Sequence, residues 1–303
     1  MNNPIISICI PTYNRDECLR QCLNSIVLQF EDSVVRESVE IVISDNASTD
    51  NTEKIVNEFQ RDYSNIFYYR NSENIRVDRN IINVVEKAKG DFVWFLGDDD
   101  ALFEGALEHM LEELKLDKFD YCIVNCLGYN NSLSKPSVSQ PNFIIESNQY
   151  YKLVDDRVSE MKKNDLVGQF CGLSMQLFKR EFWKSLKNKT EHVGSNAVHV
   201  YILLSAMKGR RFAIISKPLI KVRAANIRWD VFPGLETLSK RAESTSKLQM
   251  WILDTYELKY SKWILKIKQV INLFKTWIIS VLRKYLFRSQ NVRDFIKRLF
   301  GKL

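Results

Sequence analysis

Short apolar runs alternate with amphipathic stretches along the first 120 residues of this 303-residue chain. The runs predict five strands, at residues 5–10, 39–44, 66–69, 92–96 and 119–124. After each of the first four strands, apolar side chains recur every three or four positions, which predicts a helix. Repeated strand–loop–helix units form right-handed βαβ crossovers. We therefore expect an α/β fold with a mostly parallel, Rossmann-like sheet flanked by helices.

The pattern becomes less regular beyond this region. Residues 128–148 are rich in Ser, Asn and Pro and predict a loop, whereas residues 167–178 predict one apolar strand or a pair of strands. A helix is predicted at 198–207, followed by two short strands around Pro218. From Leu235 onward the spacing of apolar residues predicts helix.

Three consecutive carboxylates, Asp98, Asp99 and Asp100, follow the apolar strand at 92–96 and a turn at Gly97. Adjacent acids at the end of a buried strand repel one another unless a cation lies beside them. Mg²⁺ takes carboxylate oxygens and shares its remaining positions with water and substrate phosphates. The three acids therefore favour a metal–phosphate site, and the alternative is a solvated acidic turn ahead of the next helix.

Three polar loops, at residues 11–15, 45–52 and 97–100, each follow a predicted strand. Ligands of open α/β sheets bind beyond the carboxyl ends of the strands. We therefore expect the three loops to meet at one edge of the sheet and to form a ligand site. The sequence has no dinucleotide-binding GxGxxG segment and no P-loop, which disfavours dehydrogenases and P-loop enzymes.

The net charge of +7 is concentrated near the C-terminal end. Residues 257–303 contain 12 Lys and Arg against 2 Asp and Glu, a net of +10, so the remainder carries 7 − 10 = −3. Aromatic and aliphatic residues recur there every three or four positions, which predicts a basic amphipathic helix. We divide the chain into an α/β domain at 1–234 and a helical extension at 235–303.

A basic amphipathic helix can lie in the interface of an anionic membrane, or it can dock on the domain or on a second subunit. A nucleic-acid-binding stripe is disfavoured because the apolar face is wide and continuous. No uncharged run approaches the ~20 residues of a spanning helix. Polar residues follow too early in the N-terminal segment for it to be predicted as a signal peptide.

Four segments occur in order along the chain: PTYNR at 11–15, SDNASTDNT at 44–52, ENIRVDRN at 73–80 and WFLGDDDAL at 94–102. Together they resemble glycosyltransferase family 2, whose members have the GT-A fold and are inverting, nucleotide-sugar-dependent enzymes. The pattern is most similar to the abequosyltransferase-like members that build O-antigen and related bacterial surface polysaccharides. The resemblance is dense over residues 5–115 and thinner to about residue 230.

The resemblance implies roles for particular residues. The nucleotide sugar is expected to contact Pro11, Thr12, Tyr13, Arg15, Asp45, Asn46, Arg79 and Asp98. Asp99 matches the carboxylate of the family's DxD motif and Asp100 follows it, so both are expected to hold Mg²⁺ or Mn²⁺. The donor is expected to be a UDP-, CDP- or dTDP-sugar. In the alternatives without a binding role, Tyr13 packs at a strand end and Arg79 faces solvent.

The chain departs from the family pattern at three places. Asn46 stands where the common pattern has the second of two Asp residues, and Arg76 stands where the family usually has a glycine. Gly97 replaces the first Asp of the usual DxDD, which shifts the expected ribose contact to Asp98. Arg76 either adds a phosphate contact or faces solvent.

An inverting transfer needs a base that takes the proton of the acceptor hydroxyl. The family normally supplies an Asp or Glu about ten residues before a glycine that ends a helix. Gly209 is such a glycine, but the corresponding segment contains His199 and no acid. The imidazole of His199 is a competent substitute, Glu191 is the second candidate, and the alternative is a structural histidine on a helix face.

Arg223 and Trp229 follow the last predicted strands. A cation and an indole suit a diphosphate and a sugar face, or they pack against the extension. The family implies a lipid-linked saccharide acceptor, so we expect a peripheral enzyme on the cytoplasmic face of the cell membrane. The other function class is a nucleotide-binding, membrane-associated module that has lost catalysis, because the acidic base is missing.

Overall fold

A computed structural model describes residues 3–152, 172–207 and 209–223. Three of the sequence predictions therefore lie outside the described residues. These are the domain division at 234/235, the role of Trp229, and the amphipathic helix of the extension. Within the described ranges, no helix combines the length and the apolar character that crossing a bilayer requires.

The N-terminal half of the sheet is parallel, as predicted. Its strands run in the spatial order β3-β2-β1-β4: β1 (Ile6–Thr12), β2 (Val39–Asp45), β3 (Ile66–Arg70) and β4 (Phe92–Phe95). The helices of this half are α1 (Asp16–Val27), α2 (Ser33–Ser38), α3 (Thr52–Asp62), α4 (Val77–Lys87) and α5 (Ala106–Lys115). Periodic apolar positions therefore identified the βαβ units, and the predicted α/β class is confirmed.

The remaining strands make the sheet mixed. They are β5 (Ala101–Leu102), β6 (Tyr121–Tyr129), β7 (Gln149–Lys152), β8 (Gln176–Lys179) and β9 (Arg211–Arg223). The short helices α6 (Arg180–Ser185) and α7 (Val198–Met207) lie between β8 and β9 in the chain. Strand β8 runs antiparallel between β4 and β6, whereas β6 and β9 are parallel. The described strands form one sheet, ordered β3-β2-β1-β4-β8-β6-β9-β5, with β7 beside β9.

Three boundaries differ from the sequence predictions. Strand β1 continues through Pro11, because Pro11 pairs with Ser44 and the Thr12 carbonyl accepts the Asn46 N–H at 2.9 Å. Residues 211–223 form one strand rather than two. Pro218 is accommodated within this strand because the register of pairing with β6 shifts around Asn125.

The third difference concerns the start of α1. The sequence predicts Asp16 as the N-cap of the first helix, because Asp is a favoured residue at that position. In the structure Asp16 is the first helical residue, and Arg15 occupies the N-cap position without a side-chain cap hydrogen bond. The Asp16 carboxylate instead accepts the Glu17 N–H at 2.8 Å and the Asn51 amide at 3.2 Å. Asp16 therefore connects the first polar loop with the second.

Aromatic side chains fill the core beneath the end of β4. The ring centroid of Phe95 lies 5.4 Å from that of Phe178 and 5.7 Å from that of Trp183, and these last two stack at 5.5 Å. All three side chains are fully buried. Aromatic packing of this kind fixes ring positions more tightly than burial alone. The acidic turn that follows β4 therefore starts from a rigid base.

Candidate functional site

The acidic turn at Gly97–Asp100 follows the carboxyl end of β4, and a backbone hydrogen bond joins its two ends. The Asp100 N–H donates to the Gly97 carbonyl at 3.1 Å. Ser174, in the 3₁₀ turn before β8, connects the two ends of the turn, because its hydroxyl accepts the Gly97 N–H at 2.8 Å and donates to the Asp100 carboxylate. Sequence reasoning missed Ser174, which is one hydroxyl in an apolar stretch and carries no motif.

The first polar loop contacts the acidic turn directly. The Thr12 hydroxyl donates to Asp98 Oδ2 at 2.8 Å. The Arg15 guanidinium lies between two acids, 2.5 Å from Asp99 Oδ2 and 3.3 Å from Asp98 Oδ1. The structure thus brings together four of the residues predicted for the donor and metal site. Tyr13, between Thr12 and Arg15, is exposed and presents its ring at the surface.

The negative charge of the acidic turn is only partly balanced by neighbouring cations. Burial, and next the charge of Asp99, raise the pKa of Asp98 to about 7. The same two causes, in the same order, raise the pKa of Asp100 to about 7. Asp99 is the more accessible acid, with 23% of its side chain exposed. Near neutral pH the turn therefore takes up a proton or favours an added cation.

Arg223, at the last residue of β9, also reaches the acidic turn. Its backbone N–H donates to Asp100 Oδ1 at 3.0 Å, and its Nε donates to the Asp99 carbonyl at 2.8 Å. A third bond runs from Nη2 to Gln21 Oε1 on α1, at 2.9 Å. Arg223 was predicted either to contact the donor or to pack against the extension, and in the structure it anchors the acidic turn.

Asp45, at the end of β2, is fully buried and well supplied with hydrogen bonds. Its Oδ1 accepts the N–H and the hydroxyl of Ser48, at 2.9 and 2.5 Å. Its Oδ2 accepts the Tyr68 hydroxyl at 2.5 Å. Burial, followed by this bond to Asp45, raises the pKa of Tyr68 well above its usual value. Sequence reasoning missed Tyr68, which lies on β3 two residues before Arg70, the residue that pairs with Asp45.

Asn46 connects the second loop to the start of α4. Its Nδ2 donates to Asn74 Oδ1 at 2.7 Å, and its Oδ1 accepts the Ile75 N–H at 2.9 Å. Arg79, one turn into α4, is exposed. The sequence predicted that Asn46 and Arg79 contact the nucleotide sugar. In the structure Asn46 holds the segment from which Arg79 projects.

The two candidate bases lie in the segment around the start of α7. His199 is only 4% exposed, and its ring meets the edge of Phe95 with centroids 6.3 Å apart. Glu191 is exposed in the preceding turn. His199 therefore packs beneath the strand that carries the acidic turn, whereas Glu191 is open to solvent.

Asp78, in the first turn of α4, holds the start of α7. Its buried carboxylate accepts the N–H groups of Gly194 at 2.7 Å, Asn196 at 3.0 Å and Val198 at 3.4 Å. The apolar spacing of residues 78–88 predicts a helix that begins at Asp78, but it gives no partner for the carboxylate. The acid connects the helix that carries Arg79 with the helix that carries His199.

The acidic turn fits a hard divalent ion. Its donors are carboxylate oxygens, its charge is only partly balanced, and its most accessible acid is Asp99. In the described ranges no three acidic, His or Cys side chains are grouped so that they could hold a metal ion together. A Mg²⁺-type site needs only one or two carboxylates, because water and substrate phosphates complete the coordination.

A sheet with three polar strand-end loops and an acidic turn after β4 defines the class of GT-A glycosyltransferases. The sheet resembles that of a mannosyltransferase from Pyrobaculum calidifontis, PcManGT, in complex with GDP-Man and Mn²⁺. The TM-score is 0.54 at 15% identity, over 100% of this chain and 89% of that one. At this identity the likeness confirms the fold.

The chain belongs to glycosyl transferase family 2, whose model matches residues 7–184. It is 33% identical to the abequosyltransferase RfbV of Salmonella typhimurium, over 73% of this chain and 67% of that protein. It is 26% identical to the GalNAc(5)-diNAcBac-PP-undecaprenol beta-1,3-glucosyltransferase of Campylobacter jejuni, over 96% of this chain and 89% of that protein. The protein is a nucleotide-sugar-dependent glycosyltransferase, as the sequence motifs predicted.

The raised pKa of Asp98 predicts how stability depends on pH. The folded protein keeps this proton up to about pH 7, whereas the unfolded chain releases it near pH 4, so stability falls as pH rises between these values. Asp98→Asn removes the ionisation, and the Thr12 hydroxyl can turn to accept from the new amide. We expect the variant's gain in stability to be larger at about pH 8 than at about pH 5, by roughly 1–3 kcal/mol.

Urea unfolding of the metal-free protein at the two pH values measures this difference. Asp62→Asn, an exposed acid at the end of α3, is the matched control and should leave both values unchanged. A destabilised Asp98→Asn protein at the higher pH contradicts the assignment of unbalanced charge to the turn.

Proposed function

We propose that the protein is an inverting glycosyltransferase that transfers a sugar from a UDP-, CDP- or dTDP-sugar to a lipid-linked saccharide. The product belongs to a bacterial surface polysaccharide such as O-antigen or capsule. One observation carries the proposal: the β1 loop contacts the β4 acids through Thr12 and Arg15. Support for the acceptor comes from the Campylobacter relative, whose name includes an undecaprenol-linked substrate.

In this proposal the base and ribose lie over the first two loops. The exposed Tyr13 ring offers a stacking face, and Arg79 approaches the base or a phosphate. A carboxylate has roughly four acceptor sites, and Ser48 and Tyr68 use three at Asp45. Arg70 Nε also lies 3.8 Å from Asp45 Oδ2, so a base N–H that bonds to Asp45 takes the place of this ion pair. Asp98 contacts the ribose of the nucleotide.

Asp99, with Asp100 beside it, holds Mg²⁺ or Mn²⁺. The bound ion supplies positive charge that stabilises the departing nucleoside diphosphate. Support comes from the carboxylate donors, their unbalanced charge, and the Mn²⁺ with GDP-Man in PcManGT. Arg15 neutralises the same two acids. Its guanidinium must leave Asp99 Oδ2, at 2.5 Å, for a metal to take that oxygen.

The chemical step needs a group that accepts the proton of the acceptor hydroxyl. We assign this role to His199 and name Glu191 as the second candidate. Asp78 fixes the backbone just before His199 through three N–H groups, which supports a precisely positioned imidazole. The deep burial of His199 favours the alternative of a catalytically impaired nucleotide-binding module, so the histidine needs a direct test.

Asp99→Ala should remove the metal-dependent part of nucleotide binding while the fold is retained. The loss removes the most accessible carboxylate, and the flanking acids Asp98 and Asp100 are buried. Calorimetric titration of UDP, CDP and dTDP, with and without Mn²⁺, measures the effect, and Asp62→Ala is the control. Equal and metal-independent affinity in the wild type and Asp99→Ala would sink the metal assignment.

His199→Ala should lower turnover by roughly 10²–10⁴-fold with donor affinity nearly unchanged, because the base acts on the acceptor. Wild-type activity should fall as pH drops through the imidazole pKa, since a protonated ring accepts no proton. His192→Ala is the matched control, because His192 lies in the same segment and stacks on Tyr201 at 4.0 Å. A fully active His199→Ala protein with an inactive Glu191→Gln protein moves the assignment to Glu191.

We also propose that the basic extension, residues 235–303, holds the enzyme on the cytoplasmic face of the cell membrane. A lipid-linked acceptor is confined to the bilayer, whereas nucleotide sugars are made in the cytosol. A peripheral enzyme reaches both. The 12 cations at 257–303 attract anionic lipid, each by about 1 kcal/mol near the surface. The competing interpretation is that the extension docks on the domain or on a second copy.

Charge reversal in the full-length protein tests this proposal. Lys262→Glu combined with Lys266→Glu and Lys268→Glu should abolish binding to vesicles that contain phosphatidylserine. Wild-type binding should weaken with added salt, because exposed charges are screened. Lys115→Glu, on the exposed side of α5, is the control. Wild-type protein that stays in the supernatant at low salt contradicts membrane attachment and favours oligomerisation or packing.

A further inference from the structure

Arg76 has a backbone conformation that side-chain-bearing residues almost never adopt. Its φ is 67° and its ψ is 165°, at the N-cap position of α4. This region of backbone space is essentially restricted to glycine, because a Cβ meets the backbone there. A glycine at position 76 would remove the strain. The chain nevertheless has an arginine at this position.

Hydrogen bonds to the strand ends hold the strained segment in place. Asn74 Oδ1 accepts the Arg76 N–H at 2.9 Å and the Asn46 amide at 2.7 Å. Asn46 in turn donates its backbone N–H to the Thr12 carbonyl. Thr12 bonds to Asp98 in the acidic turn. One chain of contacts thus connects Arg76 to the donor site.

The Arg76 guanidinium is exposed and forms no ion pair with any carboxylate in the described part of the chain. Arg79, three residues further on in the first turn of α4, is also exposed. Arg15 and Arg223 differ, because their guanidinium groups are bound to the acidic turn or its neighbours. Arg76 therefore carries a charge that no described acid neutralises, and hydrogen bonds through Asn74 and Asn46 connect its backbone to the loop after β1.

We propose that Arg76 is a substrate-binding residue that contacts a phosphate group, and that the strained backbone aims its side chain at that group. The inference rests on the proposed function, in which both the donor and the lipid-linked acceptor carry phosphates. A planar guanidinium matches phosphate oxygens through paired N–H donors, which an ammonium group does not. The phosphate belongs either to the donor diphosphate or to the acceptor diphosphate.

Three variants of the full-length protein separate strain from binding. Arg76→Gly removes both the strain and the cation, Arg76→Ala keeps the strain without the cation, and Arg76→Lys keeps the strain and the charge. We expect Arg76→Gly to raise Tm by roughly 2–8 °C, because relief of this conformation exceeds the added flexibility of glycine. Arg76→Ala and Arg76→Lys should melt near the wild-type temperature.

Binding is measured with two probes. The first is Mn²⁺ together with whichever of UDP, CDP and dTDP the wild type binds most tightly, and the second is neutral vesicles carrying a polyprenyl diphosphate. Arg76→Gly and Arg76→Ala should each weaken binding of one probe by about tenfold or more. Arg76→Lys should lose less. The affected probe identifies whether the phosphate comes from the donor or the acceptor.

Arg61→Ala, an exposed arginine in the last turn of α3, controls for the change in net charge. If the wild type binds the probes and both Arg76→Gly and Arg76→Ala bind them equally well, the inference about Arg76 is overturned. A wild type that binds neither probe and transfers no sugar instead refutes the proposed function. A Tm for Arg76→Gly at or below that of Arg76→Ala removes the argument from strain.

Discussion

The buried negative charge at the end of β4 is the constraint on which the site depends. Asp98 and Asp100 are almost inaccessible to solvent, and their burial, followed by the charge of Asp99, raises the cost of ionising both. Side chains from distant parts of the chain converge to reduce this cost. Thr12 and Arg15 come from the loop after β1, Ser174 from the turn before β8, and Arg223 from the end of β9.

The fold explains why these groups meet. The parallel half of the sheet brings the loops after β1 and β2 to the edge at which β4 ends. The antiparallel strand β8 then lies directly beside β4, which places Ser174 under the acidic turn and packs Phe178 and Trp183 against Phe95. Each half of the sheet thus supplies part of the support for one charged turn.

Sequence reasoning predicted the parallel half well, because its apolar periods are local and its polar loops follow strands directly. It missed the place of β8, since antiparallel pairing between β4 and β6 depends on long-range contacts that leave no local period. Tyr68, Asp78 and Ser174 were missed for a related reason: each is a single polar residue whose partner lies 23 or more positions away. The sequence identified Arg76 only as a departure from the family's glycine. Its φ of 67° shows that the backbone at this position adopts a conformation typical of glycine.

The central claim is that the donor diphosphate and a divalent ion occupy the acidic turn after β4. A crystal structure of the full-length protein with Mn²⁺ and the nucleoside diphosphate that it binds best tests this most directly. The account predicts the metal on Asp99, the Arg15 guanidinium moved off that carboxylate, and the base beside Tyr13 and Asp45. Nucleotide bound elsewhere, for example against the polar face of α3 between Asp50 and Arg61, with Arg15 still paired to Asp99, would contradict it.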